Sequence, residues 1–213
     1  MGATRYAVKE IFLTLQGEGV QVGRVAVFCR FAGCNLWSGR EADRPRADCR
    51  FCDTDFVGTD GTGGGSYAGP EALADAIAAA WPSDAGERLC VLTGGEPLLQ
   101  VDRELIDALH VRSFRIAVET NGTVDAPDGL DWICVSPKAG TTLRVRAGDE
   151  LKLVFPQPGV SPRDFEKLDF RHFSLQPMDG PDVAANTAAA IAYCLDRPRW
   201  RLSIQAHKRL GLR

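Results

Sequence analysis

Three cysteines within one polar stretch are the residues of this sequence with the most evident chemistry. Cys34, Cys49 and Cys52 are spaced as C-x14-C-x2-C. A C-x2-C pair can place two thiolates on one metal, and the third cysteine precedes that pair in the same stretch. Three ligands leave a tetrahedral metal, or one iron of a cubane cluster, short of a ligand. The triplet therefore predicts a metal site with an open position, where a cofactor could bind.

Cysteine spacing alone does not decide which metal is bound. An iron–sulfur cluster, a zinc site and a redox dithiol are all compatible with it. A structural zinc site needs a fourth ligand. The three histidines of the chain are remote from the triplet in sequence, although one of them could fold back: His110, His172 and His207.

Composition and charge predict an ordinary globular chain. A length of 213 residues with 45% hydrophobic residues suits a single domain, expected over residues 1–213. The net charge of -3 gives no field that favours nucleic acid or an anionic membrane. We expect a cytoplasmic location, because there is no signal-like or membrane-spanning apolar run. An odd count of seven cysteines then argues against a disulfide framework. Four of them are expected to be buried thiols: Cys29, Cys90, Cys134 and Cys194.

Short apolar runs alternate with helical segments. Because β-branched and apolar residues favour strands, they predict strands at 24–31, 89–93, 114–119, 132–135, 150–155, 172–175 and 201–204. Helices are predicted at 70–80, 103–110, 162–167 and 182–195, with Asp102 and Asp182 as caps. This alternation predicts an α/β fold with a mainly parallel sheet. Fewer helices than strands favour a partial, open TIM-like barrel over a closed one.

Two segments interrupt this alternation. Residues 35–48 are polar and carry charges of both signs. Residues 59–66 are rich in glycine but lack the Lys-Ser/Thr that follows in a phosphate-binding loop. The glycine-rich segment is therefore predicted to be a flexible surface connection.

The motifs around the cysteines resemble a known superfamily. The segments RFAGCNL (30–36), CDT (52–54) and TGGEP (93–97) are similar to those of radical S-adenosylmethionine enzymes. The segment EIFLTLQGEG (10–19) narrows the resemblance to the 7-carboxy-7-deazaguanine synthase family, and the similarity covers nearly the whole chain. Most of the superfamily separates its first two cysteines by three residues only. The longer spacing here predicts that residues 37–48 form an insert beside the cluster.

The resemblance implies a [4Fe–4S] cluster on Cys34, Cys49 and Cys52, with S-adenosylmethionine chelating the fourth iron. It implies a radical lyase of queuosine biosynthesis that converts 6-carboxy-5,6,7,8-tetrahydropterin to 7-carboxy-7-deazaguanine with loss of ammonia. Further implications are Mg²⁺ on Thr54, an electron donor such as flavodoxin or ferredoxin, and a homodimer. On residue type alone, Thr54 could instead form a turn or cap.

Residues at strand ends are the expected contacts of S-adenosylmethionine. Glycines at 94 and 95 allow a close backbone approach, whereas Glu96 could bind the methionine amino group or cap a helix. The alternative for the other strand-end segments is an ordinary surface turn. The predicted set is Phe51, Asp53, Gly94, Gly95, Glu96, Glu119, Ser136, Pro137, Lys138, Gln176, Pro177, Met178 and Asp179.

A second set is predicted to bind the pterin. Glu18 can accept hydrogen bonds from its guanidine-like edge, and Arg30 can clamp its carboxylate in a bidentate pair. Arg30 could instead form a salt bridge at the rim of the site. The predicted set is Leu15, Gln16, Gly17, Glu18, Arg30, Thr93 and His207.

Two alternatives stay open on the sequence. A glycyl-radical activase would share the cluster and the glycine turn but would act on a protein. A zinc-stabilised binding module would have no catalytic activity, and it gives no reason for the TGGEP turn.

Overall fold

The computed structural model describes residues 5–82 and 86–212. Within them a single sheet has the strand order β3-β1-β2-β4-β5-β6-β7-β8-β9. The strands are β1 (Arg5–Leu15), β2 (Val25–Phe31), β3 (Gly65–Ala68), β4 (Arg88–Gly94), β5 (Phe114–Thr120), β6 (Trp132–Val135), β7 (Ala147–Phe155), β8 (Asp169–Pro177) and β9 (Trp200–Leu202). The α-helices are α1 (Pro70–Ala79), α2 (Arg103–Val111), α3 (Val183–Asp196) and α4 (Ala206–Leu210). Short 3₁₀ helices cover Glu41–Arg46, Pro97–Leu99 and Pro162–Phe165.

The sheet is mainly parallel and open, as the sequence predicts. Every neighbouring pair from β2 to β9 is parallel. At one edge, β1 pairs antiparallel with both β2 and β3. Parallel strands bring their carboxyl ends to one side, which is where barrel-like folds carry their chemistry.

Strand alternation separates the core from the barrel interior. In β7, Leu151 and Leu153 are buried in the main apolar core. Lys152 lies between them in sequence and points to the opposite face of the sheet, into the interior. The same alternation in β2 puts Cys29 in the core and Arg30 in the interior. The predicted burial of Cys29, Cys90 and Cys134 is confirmed, and Cys194 is half-buried.

The glycine-rich segment lies on the surface, as predicted, but it is hydrogen-bonded to β1 and is not a free connection. It lies along β1, where the Ile11 amide donates to the Thr62 carbonyl at 2.7 Å and the Gly61 amide donates to the Lys9 carbonyl at 3.0 Å. A Cβ at Gly64 would stand 2.2 Å from the Lys9 carbonyl oxygen. Glycine is therefore required for close approach of two backbones, and the segment continues into β3.

Of the two predicted helix caps, one forms a capping hydrogen bond and the other does not. The Asp102 carboxylate accepts from the Leu105 amide at 3.0 Å and caps α2. Asp182 occupies the N-cap position of α3, but its side chain makes no cap hydrogen bond. Its φ of -95° and ψ of 12° depart from the extended conformation that aims a capping side chain at the helix amides. No helix in the described part of the chain has the length and apolar character needed to cross a membrane.

Candidate active site

A cavity of about 380 Å³ opens at the carboxyl ends of the parallel strands. All three cysteines of the triplet reach its wall, together with most of the other predicted residues. Glu96 and Pro137 are the two predicted residues that it does not include. The predicted residues in the wall are Leu15, Gln16, Gly17, Glu18, Arg30, Cys34, Cys49, Phe51, Cys52, Asp53, Thr54, Thr93, Gly94, Gly95, Glu119, Ser136, Lys138, Gln176, Pro177, Met178, Asp179 and His207.

The cysteine thiols differ in their surroundings. Cys49 is buried, whereas Cys34 and Cys52 are partly exposed to the cavity. A hydrogen bond from Cys49 lowers the pKa of Cys52 to about 6, and the same contact raises the pKa of Cys49. Burial raises the pKa of Cys34, although the Leu36 amide donates to its Sγ at 3.4 Å and favours the thiolate. A metal binds cysteine as the thiolate, so it would displace the proton of this hydrogen bond.

The three thiols are compatible with an iron–sulfur cluster, in which each cysteine binds one iron. Among residues 5–82 and 86–212, no three His, Cys, Asp or Glu side chains are grouped closely enough to hold one metal ion. In a [4Fe–4S] cluster each cysteine binds a different iron, so the thiolates stand further apart than the ligands of one zinc. All three thiols share one cavity wall, so each could bind a different iron of one cluster.

The glycine turn after β4 packs directly against the segment that carries Cys34. The amides of Gly95 and Glu96 donate to the carbonyls of Phe31 and Gly33 at 3.2 and 2.9 Å. Gly94 has a φ of +126°, which favours glycine. A Cβ on Gly95 would lie 2.0 Å from the Gly33 carbonyl oxygen. The two glycines are therefore needed to fix the cysteine segment, whatever they contact in a bound cofactor.

We predict that Gly95→Ala prevents normal cluster assembly. The new Cβ meets backbone, so the segment before Cys34 must move. Iron per chain after anaerobic reconstitution should fall several-fold. Gly65→Ala is the matched control, because a Cβ there meets only the Tyr67 ring at an ordinary 3.8 Å. Equal iron content in the two variants would show that Gly95 is not needed to fix the cysteine segment.

Glu96 lies behind the cavity wall and joins two strand ends. It is fully buried, and its carboxylate accepts from the Leu98 amide at 2.9 Å, the Thr120 hydroxyl at 2.7 Å and the Asn121 amide at 2.7 Å. These contacts match the capping alternative. Pro137 also lies behind the wall, where its carbonyl accepts from Gln157 at 3.1 Å. Binding of S-adenosylmethionine by either residue stays a prediction.

Lys152 is a site residue that the sequence reasoning missed. Its side chain is 3% exposed, and its Nζ donates to Glu18 at 2.7 Å and to Glu119 at 2.6 Å. Gln16 donates to Glu119 at 2.9 Å, and Gln205 donates to Glu18 at 3.0 Å. This network connects the predicted pterin site to the predicted S-adenosylmethionine site. A lysine within an otherwise apolar strand was the available signal, since a buried charge requires partners.

The network also sets the ionisation of Glu18. Burial alone would raise the pKa of Glu18, but the charge and hydrogen bond of Lys152 outweigh burial and lower the pKa to about 2. In the unfolded chain the same group titrates near 4.5. The resulting stabilisation is complete above the unfolded pKa and is lost as pH falls towards the folded pKa.

We therefore predict that the difference in free energy of unfolding between wild type and Glu18→Gln shrinks as pH falls from about 5 to about 3. Urea unfolding of the iron-free chain across this range measures the difference. A constant difference over that range would show that Glu18 is not held ionised by Lys152.

The turn between β1 and β2 crosses the open side of the partial barrel and contacts β7 and the segment after β9. The Gly19 amide donates to the Ser203 hydroxyl at 2.9 Å, and the Val20 amide donates to Glu150 at 3.0 Å. The Gly17 carbonyl accepts from the Ala206 amide at 2.9 Å, at the start of α4. A Cβ on Gly17 would lie 2.4 Å from His207 Nδ1, so glycine admits the histidine to the wall. The predicted approach of His207 from the C-terminal segment is what the structure has.

Arg30 and Asp53 are both engaged with neighbouring side chains. Arg30 Nε donates to Glu10 at 2.8 Å, which is the salt-bridge alternative, while its guanidinium stays in the cavity wall. Lys208, which the sequence reasoning missed, pairs with Asp53 and lies 2.5 Å from Asp179. It therefore ties α4 to both flanks of the cavity.

Comparisons with known proteins agree with this geometry. The sequence model of the radical SAM superfamily matches residues 43–145 of this chain. The matched range includes the C-x2-C pair and the glycine turn but not Cys34. The chain is 70% identical to a 7-carboxy-7-deazaguanine synthase of Bradyrhizobium diazoefficiens, over 98% of this chain and 99% of that one. It is 64% identical to one of Caulobacter vibrioides, over 97% and 99%.

A solved structure shares the fold. The crystal structure of QueE from Escherichia coli aligns with a TM-score of 0.70 and 27% identity, over 95% of both chains. The cysteine cavity, the glycine turn and the full-length similarity all lead to one assignment. The chain belongs to the 7-carboxy-7-deazaguanine synthase family of the radical SAM superfamily.

Proposed function

We propose that this chain converts 6-carboxy-5,6,7,8-tetrahydropterin to 7-carboxy-7-deazaguanine, as a lyase of queuosine biosynthesis that uses S-adenosylmethionine and a [4Fe–4S] cluster. One cavity contains both the cysteine triplet and the Glu18–Lys152–Glu119 network, and this observation supports the proposal most strongly. Relatives that match almost the full chain bear the name of this synthase.

The chain's own residues would bind and orient the reactants. Cys34, Cys49 and Cys52 would hold the cluster, which supplies the electron that splits S-adenosylmethionine into methionine and an adenosyl radical. Glu18, held ionised by Lys152, would accept N–H groups of the pterin, and Arg30 would face its carboxylate. The turn across the open side of the barrel would keep water from the reacting atoms.

The remaining predicted contacts would hold S-adenosylmethionine at the strand ends. Glu119 sits in the wall with one carboxylate oxygen on Lys152 and the other on Gln16. Its fixed orientation suits hydrogen bonds to ribose hydroxyls. Lys138 Nζ donates to the Ser136 hydroxyl at 2.7 Å and lies 5.8 Å from the Phe51 ring centroid, between the cysteines and the end of β6. It brings a positive charge to the side of the cavity where the carboxylate of S-adenosylmethionine would bind.

The product assay tests this proposal. Anaerobically reconstituted protein is incubated with a reductant, S-adenosylmethionine and the pterin, and the products are identified by mass spectrometry. We expect methionine, 5′-deoxyadenosine and the ring-contracted acid. Formation of 5′-deoxyadenosine without ring contraction would reject the substrate while keeping the superfamily chemistry.

We propose Thr54 as a ligand of Mg²⁺, together with the pterin carboxylate. Hard cations prefer oxygen ligands, and Mg²⁺ keeps few protein ligands. Thr54 lies in the cavity wall two residues after Cys52.

We predict that Thr54→Ala weakens the response of activity to Mg²⁺, whereas Thr54→Ser retains it because the hydroxyl remains. The measurement is the rate of product formation across a Mg²⁺ titration. If the alanine variant keeps the wild-type profile, Thr54 is not a ligand.

We also propose a cytoplasmic homodimer that receives electrons from a flavodoxin or ferredoxin. The support is the family resemblance and the need for a one-electron donor. Light scattering against the chain mass of 23.1 kDa tests the dimer. The zinc-module and glycyl-radical-activase alternatives lose their support, because the chain belongs to a synthase family.

A further inference from the structure

The insert between the first two cysteines leaves the cluster loop and returns to it at one point. The amides of Asp48 and Cys49 both donate to the Leu36 carbonyl, at 3.1 and 3.3 Å. Leu36 follows Cys34 by two residues, so this closure brings the two ends of a long excursion together beside the cluster ligands. Trp37 anchors the excursion, because its ring packs edge-on against Phe56 with centroids 5.6 Å apart.

Arg44 connects the insert to the C-x2-C segment. It lies on the 3₁₀ helix Glu41–Arg46, and its Nη1 donates to the Arg50 carbonyl at 2.8 Å and to the Cys52 carbonyl at 3.0 Å. The guanidinium also lies 4.0 Å from the Trp37 ring centroid. Its other nitrogens donate to Glu41 at 2.7 and 2.6 Å. The Arg44 guanidinium thus contacts the cysteine segment, the Trp37 ring and the 3₁₀ helix at the same time.

We propose that Arg44 is a positioning residue of the cluster, which fixes the C-x2-C segment and places a positive charge beside it. The inference deepens the proposed function and depends on the cluster. Carbonyls on both sides of Phe51 accept from the guanidinium, so the backbone between Cys49 and Cys52 is held from outside the cavity. A nearby positive charge favours the more negative, reduced form of a cluster and raises its reduction potential. The Glu41 carboxylate offsets part of that charge, so the effect is modest.

The same helix offers a matched control. Arg46 is paired with Asp43 at 3.5 Å, three residues apart, just as Arg44 is paired with Glu41. The Arg46 side chain is 83% exposed, against 27% for Arg44. Substitution of either arginine by glutamine removes one charge and one helix pair, but only Arg44 donates to the cysteine segment.

The test compares Arg44→Gln, Arg44→Lys and Arg46→Gln in the reconstituted full chain. Cluster loss to an iron chelator is followed by absorbance, and the midpoint potential is measured by EPR titration. For Arg44→Gln we expect loss that is about fivefold faster, because two carbonyls lose their donor. At a fixed potential its ratio of reduced to oxidised cluster should fall roughly threefold, or about 30 mV for one electron.

Arg44→Lys separates the effect of the lost hydrogen bonds from the effect of the lost positive charge. Arg44→Lys keeps the charge but cannot bridge two carbonyls while stacking on Trp37, so we expect faster loss at a nearly wild-type potential. Arg46→Gln should match wild type in both measurements. A wild-type value of either measure in Arg44→Gln, or equal changes in Arg46→Gln, overturns the proposal.

Cluster uptake by the wild type and by each variant separates failure of this inference from failure of the proposed function. If Arg44→Gln takes up no cluster, Arg44→Lys decides: faster loss supports the proposal, and wild-type loss overturns it. If the wild-type chain itself binds no cluster, the proposed function fails first. If wild type binds the cluster and the Arg44 variants behave like it, only this inference fails.

Discussion

Replacement of Cys34, Cys49 or Cys52 by Ala is expected to abolish cleavage of S-adenosylmethionine. Each thiolate is assigned to a different iron, so loss of one leaves the cluster with two protein ligands. The brown absorbance after anaerobic reconstitution should be lost or unstable, and formation of 5′-deoxyadenosine should fall to the background of the assay. Iron per chain and 5′-deoxyadenosine are the two measurements.

Cys194→Ala is the control for these variants. Cys194 lies on α3, is half-buried, and has no place in the cavity wall. Its variant should retain iron and cleavage. If any one of the triplet variants keeps both at wild-type level, that cysteine is not a cluster ligand and the assignment must be withdrawn.

Lys152→Met is expected to be the most destabilising single change in the cavity. The lysine is shared by Glu18 and Glu119, and its removal leaves two poorly solvated carboxylates without a cation. Removing one partner of a buried ion pair costs about 3–5 kcal/mol. Ring contraction of the pterin should fall with it, because both carboxylates lose their fixed positions. Urea unfolding of the iron-free chain measures the stability.

Two variants serve as controls: one breaks an exposed ion pair, and the other adds a second substitution to Lys152→Met. Arg103→Met breaks an exposed pair with Asp107 and should cost no more than about 0.5 kcal/mol. Adding Glu18→Gln to Lys152→Met should restore part of the stability, because one unpaired charge is removed. If Lys152→Met costs no more than Arg103→Met, the network does not stabilise the fold as described.

The sequence predicts the parts of the site that are coded locally. The cysteine triplet and the TGGEP turn each lie in one short stretch of sequence. The three cysteines and the first three residues of the turn reach the cavity. The apolar runs predict the parallel strands for the same reason, since alternation and strand composition are local properties.

Contacts between distant residues are what the sequence could not predict. Lys152 meets Glu18 across 134 positions of the chain, and a lysine in a strand does not reveal its partner. The apolar runs do not predict β1, because the segment that forms it indicates a family signature and not a strand. The second role of Gly95, close packing on the Gly33 backbone, likewise depends on a neighbour that only folding brings near. The cysteine spacing predicts an insert, but it does not predict the closure on Leu36 or the hydrogen bonds of Arg44 to the cysteine segment.

Three thiolates of one cavity are expected to hold a cluster with one iron left open for S-adenosylmethionine. EPR of the reduced, reconstituted chain, recorded with and without S-adenosylmethionine, tests it most directly. We expect the signal of a reduced [4Fe–4S] cluster whose line shape changes when S-adenosylmethionine is added. A colourless protein, or a cluster signal that S-adenosylmethionine leaves unchanged, would contradict the claim.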